Sequence, residues 1–237
     1  MSYNFDQYPE KSVRICILLA AALVLLAYAF IALPRASAQN FTAPNTPAII
    51  TPAVGNRAFL VAHAVGTQGY VCLPSTTGAS WTINGSRPEA ALFADDPGHK
   101  LPILTHFLSP ATTPNEFAPK PLPFGSATWQ SSADGSKVWG QTLQSISAGS
   151  DASCPNAGAI DCLLLHAIGS ENGPAGGKFI ARTTFIQRLN TKGGTAPATG
   201  CSVAADVGKQ LLVPYTADYY FFQQSRNGFK ARKFEFR

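Results

Sequence analysis

Ala127-Thr128-Trp129-Gln130-Ser131-Ser132-Ala133-Asp134-Gly135-Ser136-Lys137-Val138-Trp139 is the stretch that decides the fold. Short runs of β-branched and aromatic residues flank Asp134-Gly135, and Asp-Gly supplies the positive φ angles that a tight turn between antiparallel strands requires. The stretch therefore predicts a β-hairpin. Outward from it the same punctuation recurs: apolar runs rich in Val, Ile, Phe, Tyr, Trp and Thr, bounded by Gly, Pro, Asn, Asp and Ser. Strands are expected near 58–65, 68–73, 80–83, 90–93, 101–107, 126–131, 136–145, 162–168, 178–190, 210–213 and 217–222. Asn172-Gly173-Pro174-Ala175-Gly176-Gly177 predicts a second hairpin with a longer loop, between Leu163-Leu164-Leu165 and Phe179-Ile180.

Between 57 and 222 no stretch carries a long helical period free of Gly and Pro, residues 202–209 being too short. The fold class is mostly β: a single β-sandwich or closed barrel-like domain with long loops. In 179–190 apolar residues fall on both parities (Phe179, Ala181, Phe185 and Leu189 against Ile180 and Ile186), as expected of a strand covered on both faces. Residues 108–124 carry Pro110, Pro114, Pro119, Pro121 and Pro123, and a segment of that kind cannot join a ladder centrally. It reads as a surface loop or the rim of a binding site.

The chain opens with Asp6, Glu10, Lys11 and Arg14, then an unbroken apolar run over 15–33 and Ala36-Ser37-Ala38, the small-x-small pattern that signal peptidase accepts. Residues 1–38 read as a signal peptide, with an uncleaved anchor as the rival because the run approaches the ~20 residues of a membrane-spanning helix. Either way the leader is a hydrophobic helix, and the rest lies outside the cytoplasm: periplasmic, extracellular or at the cell surface. Residues 39–56 are an extended, proline-rich lead-in, 57–222 the β-rich domain, and 223–237 a basic tail containing Arg226, Lys230, Arg232, Lys233 and Arg237. Taking Lys11, Arg14, Arg35, Asp6 and Glu10 out of a whole-chain charge of +5 leaves +4, concentrated in that tail. The body offers no basic surface for nucleic acid.

Beyond the leader stand four cysteines, an even number in an oxidising compartment, where disulfides are the default. Three pairings are open. Cys154 and Cys162 flank a short loop, Pro155-Asn156-Ala157-Gly158, that can fold back on itself, which favours that pair and leaves Cys72 with Cys201. Zinc is the rival, but no C-x-x-C pair exists and no histidine stands at ligand spacing. No metal and no cofactor are expected.

Sequence signals for catalysis are sparse. There is no G-x-S-x-G elbow and no phosphate-binding loop. His63 and His166 lie in apolar strand runs and read as core or sheet-face histidines; His99 follows a turn. His106 ends a strand before the proline-rich excursion and could meet an acid such as Asp134 across a sheet, which makes these two the catalytic candidates. Gln187, Arg188, Asn190 and Lys192 form the densest polar stretch in strand-like sequence, a candidate patch for an anionic or sugar-like ligand through arginine's planar fork of donors. Trp81, Trp129, Trp139, Tyr215, Tyr219 and Tyr220 read mainly as core, with sugar stacking as the alternative.

Four ordered motifs carry a family resemblance. They are Gly66-Thr67-Gln68-Gly69-Tyr70-Val71-Cys72; Ala127-Thr128-Trp129 with Asp134-Gly135-Ser136-Lys137-Val138; Ile186-Gln187-Arg188-Leu189-Asn190-Thr191-Lys192-Gly193-Gly194 with Ala196-Pro197 and Cys201; and Val213-Pro214-Tyr215-Thr216-Ala217-Asp218-Tyr219-Tyr220-Phe221-Phe222. Over 57–222 the chain resembles the exported bacterial and fungal family catalogued as the domain of unknown function numbered 3455. It departs in two places: the family's short His-x-x-Gly-Pro-Thr-Trp segment is split here by the proline-rich insertion between His106 and Trp129, and Gly69 replaces an aliphatic residue. The resemblance implies no activity.

The residues together predict an exported, disulfide-stabilised module that binds an envelope or matrix polysaccharide or is purely structural. It would meet a membrane only through an uncleaved leader. The alternative is a secreted hydrolase of envelope or extracellular carbohydrate built on His106, Asp134 and Arg188.

Overall fold

The computed structural model describes residues 41–83, 89–94, 101–110 and 125–225. The leader, the His99 turn, residues 111–124 of the proline-rich excursion and the tail from 226 onward lie outside the described residues. Among the described residues there are nine strands: β1 (Asn56–Ser75), β2 (Gly78–Ile83), β3 (Glu89–Phe93), β4 (Pro102–Ser109), β5 (Ser126–Ser131), β6 (Lys137–Ile146), β7 (Cys162–Glu171), β8 (Phe185–Gly193) and β9 (Gln210–Gln224). They form one antiparallel sheet in the order β2-β1-β3-β4-β5-β6-β7-β8-β9, and β1 also pairs with β9. That pairing closes the sheet. β1 and β3 to β9 make an eight-stranded barrel, a size whose interior is either filled by side chains or holds one small ligand.

Closure depends on the length of β1. One of its edges runs along β9 from Asn56↔Gln224 to Val71↔Gln210. The other edge takes β3 over 63–67 and then β2 over 70–75. The sequence pattern breaks β1 near Gly66 and β9 at Pro214, yet both continue. Pro214 is tolerated because its carbonyl accepts from Gly194 N (2.9 Å) just past the last residue of β8 to pair with β9, so its missing N–H faces the end of a ladder.

The expected strand 178–190 divides. Only Phe185–Gly193 joins the sheet; residues 178–184 turn across one end of the barrel. The β5–β6 loop takes over the backbone donors that a ladder would have used: Phe179 N–H donates to Asp134 Oδ2 (2.8 Å) and Ile180 N–H to Ser136 Oγ (3.1 Å). Gly173 allows this approach, since a Cβ there would overlap the Asp134 carbonyl oxygen. Asp134-Gly135 is not a two-residue turn: Gly135 N–H closes back on Ser131 O at 3.0 Å, and of the two only Gly135 takes a positive φ. Ile180 is fully buried, Phe179 meets Phe59 edge-on at 6.4 Å, and the Arg182 guanidinium covers the Phe59 ring at 4.3 Å. This end of the barrel is plugged.

Inside, Leu60, Ala62, Leu92, Leu104, Val138, Leu165, Ile186 and Phe221 form the main core. A second cluster lies outside the barrel wall, where Ile50, Cys154, Cys162, Leu164 and Leu189 pack together. The lead-in is thus part of the fold: a 3-10 turn, Ala48–Ile50, drives the fully buried Ile50 onto β7 and β8. Disulfides join Cys72 to Cys201 and Cys154 to Cys162, with Cα–Cα distances of 5.6 and 6.0 Å.

Candidate functional site

Strand alternation sends every second side chain inward. On β9 these include Tyr215, Ala217, Tyr219 and Phe221, and on β1 Ala62, Ala64, Gln68 and Tyr70. The end opposite the plug holds a cavity of about 860 Å³ lined by Gln68, Tyr70, His106, Trp129, Leu163, Arg188 and Tyr219 among others. The lining draws on the end of β4 (Leu108), the start of β5 (Ser126, Ala127) and the start of β7 (Leu163).

His106 and Trp129 are cross-strand partners on β4 and β5. Their rings stack 4.3 Å apart and 5° from parallel, and the Tyr219 ring leans on the imidazole at 5.8 Å. Gly140 makes this possible, because a Cβ there would lie 2.9 Å from the indole. His106 Nδ1 lies 2.9 Å from Thr128 O; a carbonyl only accepts, so the ring proton sits on Nδ1. Burial, with a smaller contribution from the positive charge of Arg188, lowers the imidazole's pKa to about 4 despite the Thr128 bond. The ring is therefore neutral near pH ~7, with a bare lone pair on Nε2.

Arg188 reaches the same cavity from β8. Its Nε and Nη2 both donate to Asp161 O (3.2 and 2.8 Å), which aims the guanidinium and leaves Nη1 without a partner among the described residues. Among the described residues it has no carboxylate partner. The lining also includes the exposed Asp161, a carboxylate, and the uncharged Gln68, Ser126, Gln141 and Thr195. Tyr70 OH donates to Gly194 O (2.7 Å) and Tyr215 shares a hydroxyl contact with Tyr219 (3.3 Å). Burial raises the pKa of both Tyr70 and Tyr215. The result is a mostly apolar lumen whose lining holds one cation, Arg188, and one exposed carboxylate, Asp161.

The sequence-predicted patch does not form one surface. Gln187 points out of the barrel and is 1% exposed; its Nε2 donates to Ile50 O (2.6 Å) and Thr46 Oγ1 (3.2 Å), holding the lead-in. Asn190 adopts φ 48° at a bulge in β8 and donates from Nδ2 to Asp218 Oδ2 (3.0 Å). Lys192 is exposed near the end of β8. Arg188 alone of the four faces the lumen, as the alternation of a strand requires.

Of the expected catalytic pair, His106 lines the cavity and Asp134 does not. Asp134 sits at the plugged end, accepting from Phe179 N–H, Ser136 N–H (3.1 Å) and Ser136 Oγ (2.7 Å). Burial by itself would raise its pKa, but these bonds outweigh burial and hold the carboxyl at about 2. The acid required by a hydrolase using His106, Asp134 and Arg188 is therefore at the wrong end of the barrel.

Sequence reasoning missed Gln68 and Tyr70 as lumen residues; Trp129 and Tyr219 are core, as read, and line the cavity as well. Their inward parity was the available signal, hidden by the unknown register. It also missed a pair on the outer wall, where His63 Nδ1 meets Asp218 Oδ1 at 2.6 Å. Trp81 and Trp139 are not lumen residues: Trp81 Nε1 donates to Thr199 O (3.0 Å) beside the Cys72–Cys201 bridge, and Trp139 Nε1 to Ser109 Oγ (2.9 Å). Among the described residues no cluster of His, Cys, Asp or Glu is arranged to hold a metal ion.

Residues 52–223 match the model of a family described as a protein of unknown function, DUF3455. No curated protein and no solved structure matches the chain.

Proposed function

The chain belongs to the DUF3455 family, and from that premise we propose that it is an exported binding protein that takes a small amphiphilic anion into the barrel lumen. One observation carries the reading: Arg188, a cation without a carboxylate partner among the described residues, lines an 860 Å³ cavity whose lining is otherwise mostly apolar and, apart from the exposed Asp161, uncharged. Ligand pockets combine such an apolar lining with a few placed polar groups, and an arginine fork matches a carboxylate or sulfonate. Leu92 and Leu104 are fully buried and do not line the cavity, so a polysaccharide would enter it by a chain end.

Export is part of the proposal. It is supported by the apolar run at 15–33 with Ala36-Ser37-Ala38 and by two disulfides, which suit an oxidising compartment. Among the described residues no helix is long and apolar enough to cross a membrane.

The test is titration with 8-anilinonaphthalene-1-sulfonate, an apolar aromatic anion, followed by its own fluorescence and by tryptophan quenching. Saturable one-to-one binding is expected, weakened at least about tenfold in Arg188→Gln, the scale of a lost charge-assisted hydrogen bond. No saturable binding, or equal affinity in Arg188→Gln, overturns the proposal.

A further inference from the structure

The deep end of the lumen holds two polar groups whose hydrogen-bonding capacity is unused. His106 is 6% exposed and lines the cavity, and its single hydrogen bond among the described residues, Nδ1 to Thr128 O, leaves Nε2 as an acceptor without a donor. Trp129, stacked 4.3 Å away, has a buried Nε1 donor without an acceptor. A buried donor such as the indole N–H is expensive to leave unmatched, and native structures rarely do so without a reason.

We infer that the natural ligand is a compact hydroxy acid: its acid group meets Arg188 at the rim and its hydroxyl reaches the His106–Trp129 stack, donating to His106 Nε2. This rests on the lumen reading above. Several competing groups fit less well. An ammonium would donate to Nε2 but would be repelled by Arg188, whose charge is felt at His106. A carboxylate or an ether has no proton to give. A hydroxyl is neutral, donates to Nε2 and keeps lone pairs for an indole N–H. The ligand must also be short, since Arg188 pairs across the ladder with Tyr219, whose ring lies 5.8 Å from the imidazole.

The experiment compares three acids by calorimetry on the full chain with both disulfides formed: 3-(4-hydroxyphenyl)propionate, its 4-methoxy analogue and 3-phenylpropionate. The hydroxy acid is expected to bind about tenfold more tightly than both others, as one satisfied buried hydrogen bond allows. In His106→Phe, which keeps a ring on Trp129, the three affinities should come within about twofold of one another. The three-ligand comparison on the unaltered chain decides the matter even if that variant fails to fold. Equal binding of all three acids, or of the hydroxy and methoxy acids, overturns the hydroxyl inference and leaves the lumen reading standing. Binding of 8-anilinonaphthalene-1-sulfonate with none of the three acids bound has the same meaning. Failure of all four probes removes the lumen reading itself.

Discussion

His106 lies flat on Trp129 although the proline-rich insertion separates them in the chain. The ladder pairs them directly, β4 against β5, so the insertion between Ser109 and Ser126 leaves the strand register untouched. Splitting the family's short His-to-Trp segment has therefore not separated the two side chains. The stack closes the deep end of the cavity, and its neutrality allows an apolar ligand to approach.

That neutrality predicts a pH dependence of stability. His106 has a folded pKa of about 4 against an ordinary 6.5. Between those values the unfolded chain binds a proton that the folded chain refuses, so stability rises with pH through this window. The contribution is complete above pH ~6.5 and is lost as pH falls to ~4, roughly 3 kcal/mol in all. Urea unfolding at both limits should show His106→Phe losing less stability than the parent by that amount. Parallel losses would mean that the imidazole is not held neutral.

Asp134 predicts the opposite kind of variant, one that affects the fold and not the lumen. Asn in its place keeps a single carbonyl acceptor and sets an NH₂ against donors that now meet Oδ1 and Oδ2. Asp134→Asn should destabilise the protein by about 2 kcal/mol while leaving affinity for 8-anilinonaphthalene-1-sulfonate unchanged. A loss of affinity without a loss of stability would return Asp134 to the functional site.

These residues show what the sequence made legible. Short β-branched runs and their turn residues established the mostly β class and most strand positions, because local propensity and burial act together there. Closure was not legible: it is a long-range pairing of β1 with β9, and Gly66 and Pro214 disguised both strands as pairs of shorter ones. Residues 178–184 looked like strand because Phe179, Ile180, Thr183 and Thr184 have strand chemistry, yet side chains of a distant loop claimed the backbone donors of Phe179 and Ile180. Arg188 and His106 were legible as polar residues in apolar company. Their shared cavity, and the dispersal of Gln187, Asn190 and Lys192, depended on which parity faces inward, and both parities of that segment carry apolar residues.

The two disulfides should differ in what they contribute. In the loop-entropy view, the Cys72–Cys201 bridge, spanning 129 residues, restricts the unfolded chain far more than Cys154–Cys162, spanning 8. Replacing each pair by alanine should cost roughly 5 kcal/mol for the long bridge and roughly 2.5 kcal/mol for the short one. Cys154 and Cys162 are also fully buried against Ile50, so their loss should loosen the lead-in. Limited proteolysis near residue 50 would register that loosening, and equal costs for the two pairs would refute the entropic ordering.

Gly140 offers the most local test of the lumen. It faces inward beside Ala127, immediately after a bulge at Trp139, and an added methyl would lie 2.9 Å from Trp129 Cζ3 and 3.5 Å from Ile186 Cδ1. Backbone conformation is not the obstacle, because Gly140 is not among the glycines with positive φ. The whole effect must come from contact, and the indole cannot yield easily with His106 on its face and Phe221 edge-on at 6.2 Å. Overpacking of this kind costs about 1–3 kcal/mol. Gly140→Ala should therefore remain folded, show an altered near-ultraviolet tryptophan band, and bind 8-anilinonaphthalene-1-sulfonate several-fold more weakly as the displaced indole enters the cavity. Unchanged affinity alongside an altered tryptophan band would mean that ligand does not reach the His106–Trp129 stack, and would confine binding to the rim around Arg188.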